Sequence, residues 1–504
     1  MDYCDNMNRR LSVLLMVVSL TLSLAGQTVV SEAYGDMPRG CRRDLLLRQR
    51  KAVKVRRVPG ANRTVEAFKG NRRQLVVLAA FADLKFRQQD PLPVWNRIFN
   101  EVGYQEGSYV GSVHDYFYDQ SYHQFDLAFD LYYVEVPGNR VKYRSTQSDD
   151  ENSKYLIYDI VDELITRNID WSQYDWNEDG EIDQLLVIYA GKGMNVDGDA
   201  NSIWPHQWWL SEHEDCQPRT VNSGDASYLI DSYCVVMETS ESSTVKTAFG
   251  TLCHEYSHCF GLPDFYASSS VLGAWDIMDY GCYNEKSFCP CAYSASERMF
   301  MGWLTPTELL RKTSVSGMQS LDRVPEAYLV RNDGWTDEYY ILENRQQVGW
   351  DVGLPGSGLM IFHVDFNADE WLSGFPNEDE KQRHYRIIPA NNKMSSSITY
   401  NLQGWGYPYT NGDQVNNALT NLTLPVAKVN HKNTDGSFFM SKPITNISVT
   451  DGLASFDFFA DETGIDEISW KTEGVRNVFN LQGQHLSVPS KGLHIVDGQK
   501  VWVK

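Results

Sequence analysis

The sequence predicts three folded parts: an α/β domain, a β-sandwich-like domain and a short all-β C-terminal tail. Up to about Leu304, apolar runs of strand length alternate with segments of helical period. Beyond Leu310, short β-rich runs are separated by turn residues and show little helical periodicity. After Glu462, three small strand-like runs surround turn residues. A chain of 504 residues is too long for one ordinary hydrophobic core, which also favours several domains.

Each element of the α/β domain is predicted from a local pattern. Helices are expected near Ser112–Gln120 and within Glu151–Thr166, where apolar residues recur at helical spacing. Strands are expected where apolar residues alternate or run continuously: within Arg72–Phe86, from Phe125, in Gln184–Gly191 and in Ser227–Glu238. This mixture of helices and strands predicts a domain at residues 73–310.

The region 311–462 is expected to be a β-rich accessory domain. It contains the runs EAYLVRN, EYYILENRQ, GLMIFHVDF and HYRIIPA, and two further strands are expected in Ile444–Asp461. The Asn- and Thr-rich stretch Ser396–Asn433 predicts long loops. Residues 463–504 form the predicted tail module.

The N-terminal region predicts export. Arg9 and Arg10 precede an apolar run, Leu11–Leu24, and small residues follow up to Gly26, which is the pattern of a signal peptide at 1–26. Residues 27–72 form a basic segment, with eight Lys or Arg and one acid between Arg42 and Arg57. This segment is either a solvated, mobile linker or a pro-segment that docks on the acidic body and makes the chain a zymogen.

The overall charge and hydropathy limit the partners. The net charge of −21 argues against nucleic-acid binding. After the signal peptide, no apolar stretch is long enough to cross a bilayer, so the sequence predicts a secreted or cell-surface protein without a transmembrane span.

Eight cysteines follow the signal peptide, and seven of them lie between residues 216 and 291. An even number in an exported chain is compatible with disulfides, and the clustering suggests that one region is cross-linked. A zinc ribbon is disfavoured because the chain has no C-x-x-C pair.

The stretch TLCHEYSHCFGLPDFY, Thr251–Tyr266, predicts a metal site. On a helix His254 and His258 share one face, so both can bind one ion, and Glu255 lies one step round, where it can reach a metal-bound water. The pattern H-E-x-x-H thus combines a Lewis acid, a water of lowered pKa and a general base. The alternative is an amphipathic helix with two satisfied histidines.

Residues beyond this pattern suggest a third ligand. If the helix continued, Asp264 would lie about 9 Å of rise beyond His258, too far to share the ion. Gly261 can adopt a left-handed conformation, and Pro263 prevents continuation of the helix. We therefore expect the chain to turn back and bring Asp264 to the metal.

GAWDIMDYG places Met278 twenty residues after His258. A turn carrying a methionine beneath the metal accompanies the longer H-E-x-x-H-x-x-G-x-x-H pattern. Tyr280, two residues further on, is a candidate donor to the developing oxyanion. The alternative is that Met278 and Tyr280 are core residues.

HEYSHCFGLPDFY together with GAWDIMDYG resembles the immune-inhibitor-A-type peptidases of family M6, whose motif reads H-E-x-x-H-x-x-G-x-x-D. GSVHDYFYDQSYHQFD, IWPHQWW, ERMFMGWL and LENRQQVGWDVGLPGSGLMIFHVD extend the resemblance over about residues 74–365. It implies a metzincin-like fold, zinc as cofactor and endopeptidase activity on protein or peptide substrates. His254, His258 and Asp264 would be the zinc ligands and Glu255 the general base. The tail resembles C-terminal modules of exported proteins from Bacteroides-like bacteria, some of which serve secretion or surface attachment.

Two other interpretations stay open. A gluzincin-type site would use a distant acid such as Glu297 as third ligand, although the turn at Gly261 and Met278 disfavours it. The chain could also be a catalytically silent surface adhesin or binding protein on the same scaffold, although the intact Glu255 argues against this.

The segment YDWNEDGEIDQLL predicts a calcium site. Asp175, Asn177 and Asp179 occupy positions 1, 3 and 5 of a calcium loop, Gly180 occupies position 6, and Glu181 would contribute its backbone carbonyl. The bidentate Glu at position 12 is missing, so Asp183 would close the site. The alternative is an Asx-turn that leads into the next strand. The M6 resemblance also implies calcium.

Cys41 in MPRGCRRD suggests a latency switch, because a pro-segment thiolate can occupy the open position on zinc. The segment is loosely similar to the P-R-C-G switch of matrix metalloproteinases, with Gly and Cys exchanged. Pairing of Cys41 with another cysteine is the alternative.

Overall fold

The computed structural model describes most of the chain between residue 65 and residue 459. The described ranges there are 65–145, 152–197, 201–213, 215–240, 245–267, 269–393 and 402–459. In the tail they are 466–468, 478–480, 485–486, 492–496 and 499–503. The predicted signal peptide, most of the basic segment and Cys41 lie outside the described residues.

A five-stranded sheet forms the centre of the first half of the chain, in the order β2-β1-β3-β7-β4. Its first four strands are parallel, and β4 runs antiparallel to β7. A separate hairpin pairs β5 with β6. The strands are β1 Gly70–Ala80, β2 Phe125–Glu135, β3 Leu185–Lys192, β4 His206–Trp209, β5 Arg219–Ser223, β6 Ala226–Ile230 and β7 Ser232–Thr239.

Helices cover this sheet, which explains the continuous apolar runs of its central strands. The helices of this half are α1 Pro91–Asn100, α2 Val113–Gln120, α3 Ser153–Leu164, α4 Met194–Asp197 and α5 Phe249–Ser257. The first two pack on β2, and α5 packs on β7. Ser112 caps α2 and Asp115 completes a capping box. The expected strand at Ser227–Glu238 is two strands, separated at Asp231, whose carboxylate accepts hydrogen bonds from Ser211.

The second half is mostly β-structure, as the turn-rich sequence predicts. Its larger sheet has the order β13-β12-β11-β10-β8, its three-stranded sheet the order β16-β17-β9, and β14 pairs with β15. The strands are β8 Thr307–Glu308, β9 Thr313–Met318, β10 Tyr328–Asn332, β11 Trp335–Arg345, β12 Gly358–Asp365, β13 Tyr385–Ile387, β14 Tyr409–Asn411, β15 Gln414–Asn416, β16 Ile444–Thr450 and β17 Leu453–Phe458. Two short helices accompany them, α6 Ala295–Phe300 and α7 Ala368–Ser373.

The larger sheet of the second half lies between two hydrophobic cores. Alternate residues such as Ile341 and Phe362 belong to the core of the first half. Their neighbours Leu342 and Ile361 belong to a second core that includes Phe456 of the three-stranded sheet. Because side chains alternate across a strand, one sheet serves both cores. A mixed α/β fold is thus confirmed, with its β-rich part built directly onto the first half.

A buried ion cluster fixes this junction. Arg345 forms two 2.6 Å hydrogen bonds to the carboxylate of Asp351, one of 3.0 Å to Glu343 and one of 3.0 Å to the carbonyl oxygen of Ala292. All three charged side chains are fully buried. Loss of one partner would leave an uncompensated buried charge, so this cluster specifies how the sheet meets the segment around Ala292.

The described residues of the tail form five short strands in one sheet, in the order β18-β22-β21-β19-β20. They are β18 Asp466–Ile468, β19 Val478–Phe479, β20 His485–Leu486, β21 Gly492–Val496 and β22 Gln499–Val503. None of the helices in the described part of the chain has the length and apolar character of a bilayer span.

The expected cross-linking by disulfides is wrong for the cysteines that the structure describes. Cys216, Cys234, Cys253, Cys259, Cys282, Cys289 and Cys291 are all buried, and no disulfide joins them. Buried cysteines pack as small apolar side chains, and their clustering in sequence reflects a cysteine-rich core.

A glycine allows α5 to lie directly against the turn at Tyr280–Ser287. A Cβ atom at Gly250 would lie 1.8 Å from the carbonyl oxygen of Cys282 and 2.6 Å from Ser287 Oγ. The first of these neighbours is backbone, so it cannot move aside as a flexible side chain could. The position of α5 therefore depends on the absence of a side chain at residue 250.

We predict that Gly250→Ala lowers the free energy of unfolding of the full-length chain by about 1–3 kcal/mol, because the added methyl group overpacks this contact. Urea unfolding measures the change. Val94→Ala, at an exposed position of α1, is the control and should stay within about 0.5 kcal/mol of the wild type. Equal stability of Gly250→Ala and wild type would contradict the close approach.

Candidate metal centre

Helix α5 and the turn after it place the two histidines on one face. His254 and Glu255 belong to α5, and a single 3-10 turn, His258–Phe260, follows. The turn ends at Gly261, which has φ of 90° and donates its N–H to the carbonyl oxygen of His258. The left-handed conformation that the sequence predicts at Gly261 is therefore present, and the helix stops there.

Phe260, two residues after His258, packs in an aromatic cluster. The ring of Phe260 packs against Phe68, Phe117, Tyr256 and Trp303, with centroid distances of 5.2 to 5.9 Å. The hydroxyl of Tyr256 donates a 2.6 Å hydrogen bond to Gln74 of β1. Apolar packing thus holds one side of the motif, while the histidines point away from it.

Backbone carbonyls orient both imidazole rings. Nδ1 of His254 lies 2.7 Å from the carbonyl oxygen of Ile277, and Nδ1 of His258 lies 2.7 Å from that of Leu262. A carbonyl oxygen accepts only, so each Nδ1 carries a proton and donates it. Each Nε2 is then the nitrogen with a lone pair for a metal ion, which is the usual arrangement of histidine ligands.

Asp264 completes the set. Its Oδ1 atom lies 3.2 Å from His254 Nε2 and 3.3 Å from His258 Nε2, and its side chain is fully buried. Zinc binds nitrogen and carboxylate ligands at about 2.0–2.2 Å in tetrahedral geometry, which separates the ligand atoms by about 3.3–3.6 Å. The two nitrogens and one oxygen therefore fit zinc in both chemistry and spacing.

The carboxylates at this centre favour protonation of His254. Burial lowers the pKa of His254, but the hydrogen bond to Asp264 and the charge of Glu255 outweigh burial and raise it to about 9. A metal ion has to displace this proton, so metal affinity is expected to increase with pH.

The turn that returns Asp264 is held from two directions. The N–H of Phe265 donates to the carbonyl oxygen of Met278 at 2.9 Å. Asn377, in the second half of the chain, donates a 2.7 Å hydrogen bond to the carbonyl oxygen of Phe265. Asp264 thus lies between the turn after α5 and the segment that carries Met278.

Met278 lies in the tight turn that the sequence suggested. It is fully buried, its N–H donates a 2.9 Å hydrogen bond to Asp276 Oδ1, and Gly281 N–H donates to the Asp276 carbonyl oxygen at 2.8 Å. The preceding Ile277 supplies the carbonyl that orients His254. This turn therefore supports the histidine through its backbone.

Glu255 and Tyr280 line one cavity beside the histidines. Glu255 Oε2 lies 4.0 Å from His258 Nε2, and the residue is 8% exposed. The other lining residues are Asn195, Trp204, Pro205, Thr251, His254, Tyr266, Asp279, Cys282 and Tyr283. The cavity brings a carboxylate and a phenol to the same side of the centre.

Asp279 shapes the wall of this cavity, a role that the sequence did not suggest. Its Oδ2 atom accepts hydrogen bonds of 2.7–3.1 Å from Ser270 Oγ and from the N–H groups of residues 271–273. Burial raises the pKa of Asp279 to about 6. This carboxylate fixes the loop that borders the cavity.

The cysteines on either side of the ligand histidines, Cys253 and Cys259, are buried. Burial raises the pKa of the Cys253 thiol well above its usual value, so this residue is a protonated thiol at neutral pH. Only a thiolate binds zinc, and Cys253 therefore does not compete with the histidines.

Glu297, the alternative candidate for the third ligand, caps helix α6. It completes a capping box at the start of α6, where Ser294 N–H donates to Glu297 Oε2 at 2.6 Å. Asp264, in contrast, is within 3.3 Å of both histidine nitrogens.

The acidic loop at residues 175–183 is compact. Asp179 N–H donates to Asp175 and Asn177, Gly180 N–H donates to Asp175, and Glu181 N–H donates to Asp179, at 2.9–3.1 Å. Asp183 Oδ2 accepts from the N–H of Trp176 at 2.5 Å. These bonds form the Asx-turns of the alternative interpretation, and they arrange the carboxylates around one short loop.

A second group of ligand-type side chains was not expected from the sequence. Among the described residues, two groups of three bring ligand atoms within 4.8 Å of one another: His254 with Glu255 and His258, and Glu338 with Asp365 and His431. The sequence did contain a sign of this group: Glu338 of β11 and His363 and Asp365 of β12 interrupt otherwise apolar strands. His363 and Asp365 are two residues apart, so they share one face of the sheet.

Comparisons with known proteins agree with this geometry. Residues 94–303 match the family model described as "Immune inhibitor A peptidase M6, catalytic domain". The chain is 25% identical over 295 residues to Immune inhibitor A of Bacillus thuringiensis subsp. alesti, an alignment that covers 48% of this chain and 42% of that relative. The chain thus spans less than half of the relative's length. Residues 94–303, which carry both histidines, Glu255 and Asp264, are thus similar to the catalytic domains of M6 peptidases.

Proposed function

We propose that this chain is an exported, zinc-dependent endopeptidase that hydrolyses peptide bonds of extracellular proteins. The position of Asp264 Oδ1 within 3.3 Å of both His254 Nε2 and His258 Nε2 carries this proposal, because two imidazole nitrogens and a carboxylate oxygen form a zinc-binding set. Zinc bound by these three residues would supply a Lewis acid and lower the pKa of the attacking water.

Glu255 is the general base in this proposal. Its carboxylate lies on the cavity side of α5, 4.0 Å from one ligand nitrogen, where it can accept a proton from the attacking water. It then delivers that proton to the leaving amine, so one side chain serves both steps. The partly enclosed position of Glu255 limits competing bulk water.

Tyr280 is the proposed donor to the oxyanion. It lines the same cavity as Glu255 and is 7% exposed, so its side chain borders the space that a carbonyl oxygen would enter. A phenol can donate a hydrogen bond to developing negative charge without a change in its own protonation state.

The finer description of the fold is also proposed. The turn at Gly261, the buried Met278 and Asp264 as third ligand favour a metzincin-like catalytic domain at 73–310. A β-sandwich-like accessory domain at 311–462 is supported by the second hydrophobic core, although β8 at Thr307–Glu308 already belongs to its larger sheet. The tail at 463–504 would serve secretion or attachment to the cell surface.

The remaining proposals come from the sequence. The pattern at residues 1–26 favours export by a signal peptide, and the basic segment at 27–72 favours a zymogen. Cys41 is proposed as a latency switch, and unchanged latency of a purified Cys41→Ala precursor would exclude that role.

We also propose a structural calcium ion at the acidic loop of residues 175–183, because its carboxylates surround one turn.

We predict that Glu255→Gln retains zinc but lowers the rate of casein cleavage by about 10²–10⁴-fold, because the amide cannot accept the proton of the attacking water. Asp264→Ala should lose both zinc and activity, since it removes a ligand. Metal analysis and casein cleavage measure the two properties separately.

Glu106→Gln, at an exposed position, is the control for the loss of one carboxylate and should behave as the wild type. Full activity of Glu255→Gln would exclude the mechanism, and undiminished zinc affinity of Asp264→Ala would exclude the third ligand. A wild type that binds zinc but cleaves no peptide bond would favour the catalytically silent surface protein instead.

For the acidic loop, we predict that calcium raises the melting temperature of the wild type and that Asp175→Asn weakens calcium affinity by ~10-fold or more, because fewer charged ligands remain. Glu178→Gln is the matched control, since this exposed side chain of the same loop is not an expected ligand. Melting of the wild type that is insensitive to calcium and to a calcium chelator would show that the loop is held by its Asx-turns alone.

A further inference from the structure

Two buried carboxylates face each other across adjacent strands, in the second half of the chain. Glu338 of β11 and Asp365 at the end of β12 are opposite partners in an antiparallel pair. Their exposed fractions are 0% and 1%. Like charges directly opposite each other in a sheet are destabilising, and burial increases that cost. This pair requires a positive group that faces both carboxylates.

His431 approaches both carboxylates from the loop that follows β15. Its Nδ1 atom lies 3.5 Å from Glu338 Oε2 and 3.4 Å from Asp365 Oδ1. This nitrogen is buried and makes no hydrogen bond to the described part of the chain. The ring stacks on Trp335 with a centroid distance of 4.7 Å, which fixes its plane. The imidazole nitrogen therefore points at both carboxylates and is held there.

The distances favour shared coordination over an ion pair. Charge-assisted hydrogen bonds between nitrogen and a carboxylate are about 2.7–2.9 Å long, well below the 3.4 and 3.5 Å observed here. Ligands at about 2.0–2.2 Å from one tetrahedral ion lie about 3.3–3.6 Å apart. The same spacing occurs at Asp264 in the catalytic centre.

Neighbouring groups donate hydrogen bonds to both carboxylates and orient them. Metal ligands are commonly oriented by such hydrogen bonds. Glu338 accepts hydrogen bonds from His363 Nε2 at 2.6 Å, from Asn332 at 2.9 Å, and from the backbone N–H groups of residues 430 and 431. Asp365 Oδ2 accepts from Asn430 Nδ2 at 2.9 Å. The loop residues 430 and 431 are thus attached to both acids.

Apart from His431, each histidine here contacts one carboxylate: His363 contacts Glu338, and His384 contacts Asp365. The Arg386 guanidinium adds positive charge behind His363. Burial lowers the pKa of His363, whose Nδ1 accepts from Arg386 while its Nε2 donates to Glu338, so this histidine is neutral. His384 Nδ1 lies 2.7 Å from the carbonyl oxygen of Asp365 and 3.4 Å from Oδ2, and it donates to that carbonyl.

We propose that Glu338, Asp365 and His431 bind a second zinc ion, separate from the catalytic centre, which ties the loop of His431 to the larger sheet. One imidazole nitrogen with two carboxylates is a ligand set for zinc, whereas calcium takes oxygen ligands alone. The His431 side chain is 33% exposed, so a water molecule can complete the coordination from the solvent side. The ion neutralises the two opposed carboxylates and is structural.

Zinc counting on the full-length protein tests this site. After dialysis in zinc with excess calcium, we expect two zinc ions per wild-type chain and one in His431→Ala, which should still cleave casein. The His254→Ala/His258→Ala variant should also hold one, and the combination of all three substitutions none. Removal of the remaining zinc from His254→Ala/His258→Ala should lower its melting temperature.

His123→Ala is the matched control, because this exposed histidine stacks on Tyr118 and should leave two ions bound. If His431→Ala does not fold, Asp365→Asn keeps the side-chain shape and should weaken the second zinc by ~10–100-fold or more. One zinc ion in the wild type, two in His431→Ala, or stabilisation of His254→Ala/His258→Ala by calcium but not by zinc would overturn the proposal.

Discussion

The shared contact of His254 Nε2 and His258 Nε2 with Asp264 Oδ1 is the constraint on which the rest of the centre depends. Asp264 Oδ1 lies within 3.3 Å of both Nε2 atoms, which one uninterrupted helix could not provide, since Asp264 lies six residues after the second histidine. The helix therefore has to end between them. Gly261 ends it in a left-handed conformation, and hydrogen bonds of Phe265 to two distant segments hold the returning chain. Fold and site are linked through this reversal.

A buried carboxylate between two histidines also needs a rigid surrounding structure. The Phe260 cluster holds the motif from behind, and Gly250 lets α5 approach the turn at residues 280–287. The carbonyl of Ile277 holds His254, so the segment around Met278 acts through its backbone as well as through packing. Several elements of the fold thus support the centre.

The sequence predicted those features that depend on local spacing. These features are the helical period of the histidines, the glycine that ends the helix and the proline beyond it. The return of Asp264 to the histidines follows from them. The predicted strands within Arg72–Phe86 and Gln184–Gly191 correspond to β1 and β3 because apolar runs of that length have few alternatives in a buried parallel sheet.

Features that depend on contacts between distant segments could not be predicted in this way. The sheet that serves two cores, the cluster around Arg345 and the loop fixed by Asp279 each join segments far apart in sequence. Glu338, Asp365 and His431 come from three segments, and no local spacing relates them. The prediction of disulfides was wrong for the described cysteines because it relied on their clustering in sequence. These cysteines are buried in the core instead.

Anomalous diffraction at the zinc absorption edge, from crystals of the full-length protein, tests the central claim most directly. The account predicts a zinc peak about 2.0–2.2 Å from both histidine Nε2 atoms and from Asp264 Oδ1. A zinc ion bound by the histidines with Asp264 turned away, or with a different acid in its place, would contradict it.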